Sequence, residues 1–291
     1  MSTWGGVAGK RVVLTGATNG IGLAAAIELA RRGADLTLVA RNQARAAEAV
    51  RRISAGSTRS TPDVMLADLA SQSSIRHLAR ALLARYPRIQ VLVNNAGAIY
   101  ARRQMTTDGI ELTWAVNHLA PFLLTSLLLD RLKASQPARI VTTSSGAHEG
   151  ARIPFDDLNG DRSWGGAGFT RYGETKLANV LFTAELARRL EGTGVTANAF
   201  HPGFVATGFN RNNGVLMRIG MAISRPFARS PQKGAETLVF LVDSEEAGQL
   251  NGAYVFDRRA AAPSPAAQAV ETARQLWRVS EEQTRASALL P

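Results

Sequence analysis

A tyrosine and a lysine four residues apart form the pattern with the clearest chemical meaning. In "RYGETK", Tyr172 and Lys176 would lie one above the other on the same face of a helix. A free phenol has a pKa of about 10, and an adjacent ammonium group together with an oxidised nicotinamide would lower it. The pair is therefore predicted to work as an acid and base in hydride transfer, with Tyr172 exchanging the proton.

Two further patterns supply polar groups for the same chemistry. The run "ARIVTT" is followed directly by Ser144 and Ser145, and either hydroxyl could hold a carbonyl oxygen at the carboxyl end of a strand. Asn117 interrupts an apolar helical pattern, and Pro121 follows four residues later without an N–H group. The Asn117 carbonyl is predicted to hold a water at the inner end of a proton relay from Lys176; an ordinary kinked core helix is the alternative.

Three glycines interrupt an otherwise buried passage, "TGATNGIG", between a short apolar run and an alanine-rich helical pattern. The N–H groups at a helix start are unsatisfied and favour an anion. Gly16 would allow a tight turn, Gly20 the approach of a pyrophosphate, and Gly22 the packing of helix against strand. The passage is predicted to bind the phosphates of a dinucleotide; glycines that serve only the turn and its packing are the alternative.

The end of the second predicted strand indicates which dinucleotide binds. A carboxylate there would accept a hydrogen bond from the ribose 2′-hydroxyl of NAD, whereas an arginine accommodates a 2′-phosphate. This chain has "VARNQAR", with Arg41 at that position and Arg45 one helical turn beyond. The sequence therefore favours NADP(H), although a solvated arginine is an alternative in such an arginine-rich chain.

These residues need a scaffold, and strand and helix patterns alternate along the whole chain. The strands are nearly continuous apolar runs, which are typical of a parallel sheet covered on both faces. We predict a doubly wound α/β fold in one domain over residues 1–291, with a C-terminal helix at about 265–285. The seven predicted parallel strands are 11–15, 34–40, 62–67, 89–94, 138–143, 195–200 and 252–256.

Composition excludes several classes of site and partner. With no cysteine and four scattered histidines, the chain has neither thiolates nor metal-ligand spacing, so no metal is expected. The net charge of +11 comes mostly from arginines dispersed among alanines, without a basic run, so no nucleic-acid partner is expected.

The apolar passages argue against a membrane protein. The run Leu119 to Leu129 is far shorter than the ~20 residues that span a bilayer, so no transmembrane segment is expected. Asn19 and Glu28 interrupt the first apolar stretch, which makes it a poor signal peptide. A cytoplasmic location is expected.

Taken together, the motifs resemble the short-chain dehydrogenase/reductase superfamily, from about Lys10 to Phe256. The resemblance rests on "TGATNGIG", "ADL" with Asp68, "NNAG", "YGETK" and "HPGFVATGF", in that order along the chain. It implies a Rossmann-like fold and the catalytic residues Asn117, Ser145, Tyr172 and Lys176, the last of which would also bind the ribose. The implied cofactor contacts are Gly16, Thr18, Asn19, Gly20, Ile21, Gly22, Arg41, Asp68, Leu69, Asn95, Ala96, Gly97, Tyr172, Lys176, Pro202, Gly203, Val205 and Thr207.

Three passages narrow the resemblance to the retinol-dehydrogenase-like branch, which includes WW-domain-oxidoreductase relatives. They are "IPFDDLN", "KLANVLFTAELARRL" and "LWRVSEEQT". Members of the branch are mostly NADP-dependent, which agrees with Arg41, although the amino-terminal membrane segment of many relatives is not expected in this chain. The branch does not specify the substrate, and a soluble member need not use retinoids.

The resulting prediction is an NADP(H)-dependent oxidoreductase that interconverts an alcohol and its ketone or aldehyde. The segment 208–230 is predicted to cover an apolar substrate, with a membrane-surface helix and packed core as alternatives. The side chains predicted to cover the substrate are Phe209, Leu216, Met217, Met221 and Phe227.

Two other functions and one question of assembly remain open. A dinucleotide-binding regulatory or scaffold protein with little turnover is the main alternative function. An epimerase or dehydratase would have a different glycine spacing and a sugar-nucleotide domain. The apolar face of the helix after Tyr172 could meet the core or a second subunit, so a homo-oligomer is possible.

Overall fold

The fold is built on one eight-stranded sheet. The structure is a computed structural model that describes residues 4–56, 61–162, 164–205 and 228–286. The strand order is β3-β2-β1-β4-β5-β6-β7-β8, and all neighbours are parallel except β7 and β8. The strands are β1 Arg11–Thr15, β2 Asp35–Ala40, β3 Asp63–Leu66, β4 Val91–Asn94, β5 Ala138–Thr143, β6 Val195–His201, β7 Tyr254–Phe256 and β8 Arg259–Ala261.

The seven predicted parallel strands are confirmed, and β8 is an addition. Asp257 and Arg258 join β7 to β8 with positive φ angles of 48° and 64°. Two such residues in succession make a tight hairpin turn that suits the twist of the strands. The chain therefore reverses after β7 and adds one short antiparallel strand at the edge of the sheet.

Helices cover both faces of the sheet, as predicted. Ser230 caps one of them by accepting a hydrogen bond from the Lys233 N–H group, and Pro231 opens its first turn. The helices are α1 Gly20–Arg31, α2 Gln43–Ser54, α3 Gln72–Arg85, α4 Leu112–Trp114, α5 Ala120–Ala134, α6 Phe169–Arg189, α7 Pro231–Asp243 and α8 Val270–Thr284.

The C-terminal helix begins later than predicted. Pro265–Gln268 forms a short 3₁₀ turn, and α8 begins only at Val270. The Ser264 side chain makes no capping hydrogen bond within the described part of the chain, while its N–H group donates to Nε2 of His148 at 3.1 Å. The backbone at Ala269 is extended (φ −73°, ψ 100°), which separates the 3₁₀ turn from α8.

Apolar side chains fill both sides of the sheet. Along β1, Val13 belongs to the cluster on one side, whereas Val12 and Leu14 belong to the cluster on the other. This alternation is the two-residue period of a strand buried on both faces. The apolar face of the helix after Tyr172 packs against the core rather than pointing to solvent. Its buried residues include Leu177, Val180, Leu181 and Leu190.

Among the residues that the structure describes, one helical stretch is long and apolar enough to cross a membrane. Leu112–Ala134 meets that criterion by length and composition, but 89% of its most apolar window is buried inside the fold. The stretch contacts α3, α6 and β5. Its hydrophobicity is therefore accounted for by the protein core.

The predicted substrate cover lies mostly outside the described residues. The structure describes Ala228–Ser230 from the segment 208–230, and Thr207 also falls outside it.

Candidate active site

The glycine turn joins β1 to α1 with very little space around it. Gly16 and Gly20 have positive φ angles of 72° and 53°, which glycine adopts without strain. A Cβ added at Gly22 would lie 2.2 Å from the Gly16 carbonyl oxygen and 2.5 Å from Nδ2 of Asn95. Gly22 therefore packs the helix onto the turn itself rather than onto the strand. Asn19 precedes α1 without a side-chain cap in the described structure, so the helix start keeps free N–H groups.

We expect Gly22→Ala to damage this turn. Alanine favours a helix over glycine by about 1 kcal/mol, but overpacking against backbone atoms costs about 1–3 kcal/mol because no side chain can turn away. Thermal unfolding and NADPH titration should show lower stability and at least about tenfold weaker binding, from the loss of aligned N–H groups. Gly56→Ala is the matched control, since its nearest neighbours would lie 3.8 Å away. Equal behaviour of the two variants would contradict the tight turn.

Asn95 connects the glycine turn to the end of β5 through side-chain hydrogen bonds. Its Nδ2 donates to the carbonyl oxygens of Thr15 and Gly16 at 3.0 and 3.2 Å, and its Oδ1 accepts from the Thr143 hydroxyl at 3.3 Å. The N–H groups of Asn95 and Ala96 donate to the Thr15 hydroxyl. These two predicted cofactor residues thus position the turn through hydrogen bonds with the protein.

The predicted adenosine contacts lie at the ends of β2 and β3. Arg41 is exposed directly after β2, and Asp68 is exposed in the loop after β3, next to the half-buried Leu69. Asp68 shapes its loop, because its N–H group donates to Ser74 and its carboxylate accepts from Ala70. The charges of Arg41 and Asp68 both act on Tyr100, whose pKa is raised mainly by burial. The two side chains therefore border the same region of the surface.

Tyr172 and Lys176 lie one turn apart near the start of α6. The Lys176 ammonium nitrogen is 5.4 Å from the centroid of the Tyr172 ring and donates to the Thr143 carbonyl at 3.0 Å. Lys176 is 2% exposed, and burial lowers its pKa to about 8. The predicted pair is thus in place where β5 ends.

The protein by itself raises the pKa of Tyr172; the predicted lowering by the ammonium group together with an oxidised nicotinamide stays a prediction. Burial raises it to about 12, and a hydrogen bond with the Ser145 side chain offsets this only partly. A phenolate is costly to bury, so burial favours the neutral phenol. In this structure Tyr172 is therefore a protonated donor at neutral pH.

We expect Lys176→Met to stabilise the protein while it abolishes activity. The folded-state pKa of Lys176, about 8, lies below its ordinary value of 10.5, so folding favours the neutral amine. Stability from that neutral form is present above pH 10.5 and is lost as the pH falls through 8. At pH 7 the variant should unfold with a free energy higher by about 2–3 kcal/mol, and the difference should shrink toward pH 10. Denaturant unfolding at both pH values, without cofactor, measures this; a less stable variant at pH 7 would contradict it.

The two serines after β5 have different surroundings. Ser144 is 1% exposed, and its hydroxyl donates to the Lys176 carbonyl at 2.8 Å. Ser145 is partly exposed, forms a hydrogen bond with Tyr172 and accepts one from the Ala147 N–H group. Only Ser145 of this pair is therefore placed to meet a carbonyl oxygen beside Tyr172.

Asn117 occupies a widened turn rather than a kink. Ala115–Leu119 forms a π-helical turn between α4 and α5, and Pro121 lies in the first turn of α5. Such turns often accompany functional sites.

The Asn117 side chain connects two parts of the site. It forms hydrogen bonds with both the N–H and the carbonyl group of Ala98 at 2.8 Å, and it also donates to the Thr175 hydroxyl at 3.1 Å. Its Oδ1 and the Lys176 ammonium both lie 3.4 Å from the point where a Cβ of Gly97 would be. The water relay at its carbonyl stays a prediction.

The loop after β6 completes the site. Pro202, Gly203 and Val205 follow β6, and Val205 pairs with Arg229 in an isolated parallel bridge. Sequence reasoning missed His201, which ends β6 and accepts hydrogen bonds from Gly146 and Gly203. Its position before a Pro-Gly pair was the only sequence signal for a structural role of His201.

No three His, Asp or Glu side chains within the described ranges converge on a point where a metal ion could bind.

The fold and the site together define a class of protein. A doubly wound sheet carries a glycine turn after its first strand, and it gathers Ser145, Tyr172 and Lys176 at the carboxyl ends of its middle strands. This arrangement is typical of an oxidoreductase acting on CH–OH groups. The family model of the short chain dehydrogenases matches residues 10–156, and the chain belongs to that family.

Relatives place the chain within the retinol-dehydrogenase-like branch. Mouse retinol dehydrogenase 12 is 44% identical over 95% of this chain and 86% of its own length. Human retinol dehydrogenase 13 is 40% identical over 93% of this chain and 83% of its own length. The WW domain-containing oxidoreductase of Pongo abelii is 40% identical over 94% of this chain and 67% of its own length.

Solved structures agree with the fold. A protein from Mycobacterium paratuberculosis superposes with a TM-score of 0.78 at 31% identity, covering 98% of each chain. A short chain dehydrogenase from Burkholderia cenocepacia, crystallised in complex with NADP, has a TM-score of 0.68 at 28% identity. The match covers 90% of this chain and 99% of the Burkholderia chain.

Proposed function

We propose that the protein is an NADP(H)-dependent oxidoreductase that interconverts an apolar alcohol and its ketone or aldehyde. The observation that carries the proposal is the position of Tyr172. Its hydroxyl is hydrogen-bonded to Ser145, and the Lys176 ammonium lies 5.4 Å from its ring at the carboxyl end of β5.

The residues present fit a phosphorylated dinucleotide. The uncapped start of α1 and the turn that Gly16 and Gly20 form with positive φ angles suit a pyrophosphate. Arg41 is exposed where the 2′-phosphate of NADP would bind, and the Burkholderia relative was crystallised with NADP. Thr18, Asn19, Ile21, Asp68, Leu69, Gly97 and the loop from Pro202 to Thr207 complete the proposed set. When bound, NADPH supplies the hydride.

The side chains of the protein handle the proton and the oxygen. In reduction, the Tyr172 hydroxyl donates its proton to the substrate oxygen, which becomes the alcohol hydroxyl. The Ser145 hydroxyl donates a hydrogen bond to that oxygen and orients the carbonyl. Lys176 holds the ribose, and its charge stabilises the tyrosinate left behind. Asn117 fixes the Gly97–Ala98 backbone beside Lys176.

The pKa of Tyr172 implies different pH dependences for reduction and oxidation. A Tyr172 hydroxyl with a pKa of about 12 is protonated at pH 7, as a proton donor must be. Alcohol oxidation needs the tyrosinate, so it should become faster as the pH rises. This difference in pH dependence is part of the proposal.

A carbonyl panel tests the proposal. Oxidation of NADPH is followed at 340 nm with aliphatic aldehydes, aromatic ketones, quinones and retinal, and NADH serves as the control. We expect turnover of apolar carbonyls with a preference for NADPH. Tight NADPH binding without turnover of any class would instead favour the regulatory or scaffold function.

We further propose that the protein works in the cytoplasm without a nucleic-acid partner. Many of its arginines are paired with carboxylates, as in Arg32–Asp243 and Arg229–Asp257, rather than gathered in one basic surface.

Light scattering of the purified protein tests whether two copies associate in solution.

A further inference from the structure

The ring of His201 connects two loops of the site through one nitrogen. Its Nδ1 accepts hydrogen bonds from the Gly146 N–H group at 3.1 Å and from the Gly203 N–H group at 3.2 Å. Gly146 directly follows Ser145, whereas Gly203 belongs to the loop after β6. Since β5 and β6 are parallel neighbours, these loops leave the same edge of the sheet.

Packing holds the ring in this orientation. It stacks on Phe256 with centroids 4.7 Å apart and planes at 16°. The Arg229 guanidinium lies 4.9 Å from the Phe256 ring and pairs with Asp257. A Cβ at Gly146 would lie 3.5 Å from both Cε1 and Nε2 of His201, so the backbone of the serine turn closes against the ring.

We propose that His201 is a positioning residue, whose neutral ring fixes the Ser145–Gly146 turn relative to the Pro202–Gly203 loop. This bridge holds the Ser145 hydroxyl within hydrogen-bonding distance of Tyr172. It also holds the Pro202–Gly203 loop at a fixed distance from the reaction centre. The catalytic part of this inference rests on the function proposed above. The bridge between the loops does not, and it can be tested without turnover.

Protonation should break the bridge. Two N–H groups point at Nδ1, so this nitrogen carries the lone pair and the neutral ring bears its proton on Nε2. A second proton would have to be placed on Nδ1, against both donors. His148 and Glu149 after β5, Asp257 after β7, and Arg229 before α7 are the charged or titratable groups that act on the ring. Burial, followed by Arg229 and His148, lowers the pKa of His201 below 6.5, so the bridge is intact at neutral pH.

Two substitutions separate the acceptor from the ring. His201→Asn offers an amide oxygen near the position of Nδ1 and does not titrate. His201→Phe keeps the stacking on Phe256 but removes the acceptor. We expect kcat for carbonyl reduction by NADPH at pH 7.5 to fall about 10- to 100-fold in His201→Phe, from two lost hydrogen bonds and a misplaced serine. His201→Asn should stay within about threefold of the unchanged protein, because the acceptor is retained.

The pH profile supplies a readout that a purely structural role would not alter. Carbonyl reduction is measured because Tyr172 stays protonated throughout the acidic range. The unchanged protein should lose kcat as the pH falls below 6.5, whereas His201→Asn should lack this decrease. Thermal unfolding at each pH identifies any loss caused by unfolding. A decrease of equal size and midpoint in both proteins would overturn the proposal, as would equal kcat values for the Phe and Asn variants.

A spectroscopic test on the unchanged protein decides the matter if either variant fails to fold or if no carbonyl is turned over. In ¹⁵N NMR spectra at pH 7, Nδ1 of His201 should have the shift of an unprotonated nitrogen. The Gly146 and Gly203 amide signals should move together with the titration of His201. A proton on Nδ1, or amides that do not follow the ring, would overturn the bridge. Inactivity toward the whole carbonyl panel would overturn the proposed function and leave this result standing.

Discussion

Replacing Tyr172 by Phe is expected to lower kcat about 10²- to 10⁴-fold, which is the usual contribution of a positioned general acid. The variant loses the proton donor and the hydrogen bond to Ser145. It keeps the ring beside the Lys176 ammonium, so the local packing should survive. Steady-state NADPH oxidation measures the loss, and fluorescence titration should give an NADPH dissociation constant within about threefold of the unchanged value, because the hydroxyl contributes one hydrogen bond at most.

Tyr86→Phe is the matched control for this loss. Tyr86 also has a hydrogen-bonded hydroxyl, which donates to Asp63 at 2.7 Å, but it follows α3 at the opposite end of the sheet from the site. Its removal should cost about 1 kcal/mol of stability and leave kcat unchanged. If Tyr172→Phe retained full turnover, another group would have to donate the proton.

Replacing Arg41 by Asp is expected to reverse the cofactor preference. The arginine offers charge-assisted hydrogen bonds to a 2′-phosphate, and an aspartate would repel that phosphate and accept from a 2′-hydroxyl instead. We expect the ratio of kcat/KM for NADPH over NADH to fall about 100-fold or more, since each charged hydrogen bond contributes about 1.5–3 kcal/mol.

Arg52→Asp is the control for the charge itself. Arg52 is also exposed, but it lies in the last turn of α2, at the far end of the helix from Arg41. The same charge change there should leave the cofactor ratio within about twofold, because salt screens exposed charges beyond about 10 Å. Equal shifts from both substitutions would mean that net charge, and not a phosphate contact, sets the preference.

The sheet was predictable because its central parallel strands, such as β1, β4 and β5, are nearly unbroken apolar runs buried on both faces. The eighth strand was not, since Arg259–Ala261 is exposed and carries no apolar pattern. Its pairing follows from the reversal at Asp257 and Arg258. The predicted start of the C-terminal helix was also early, because Ser264 and Pro265 open only a 3₁₀ turn and the extended backbone at Ala269 separates that turn from α8.

The site was predictable where spacing along one element decides it. Tyr172 and Lys176 share a helix face because they are four residues apart. The choice between Ser144 and Ser145 came from the resemblance, and the structure gives its reason in the hydroxyl that Ser144 commits to the Lys176 carbonyl. The pKa direction of Tyr172 depends on burial by residues far apart in sequence. His201 was missed for a similar reason, since its partner Gly146 belongs to another strand's loop.

Transfer of deuterium from the cofactor tests the central claim most directly. The protein is supplied with NADPH deuterated at the reactive face of C4 and with a carbonyl that it reduces, and the alcohol is examined by mass spectrometry and NMR. With labelled NADPH in H₂O we predict one deuterium at the former carbonyl carbon, and with unlabelled NADPH in D₂O we predict none at that carbon. The rate of product formation should fall about 10²- to 10⁴-fold when Tyr172 is replaced by Phe. An unlabelled carbon, or undiminished product from the Phe variant, would contradict direct hydride transfer coupled to proton donation by Tyr172.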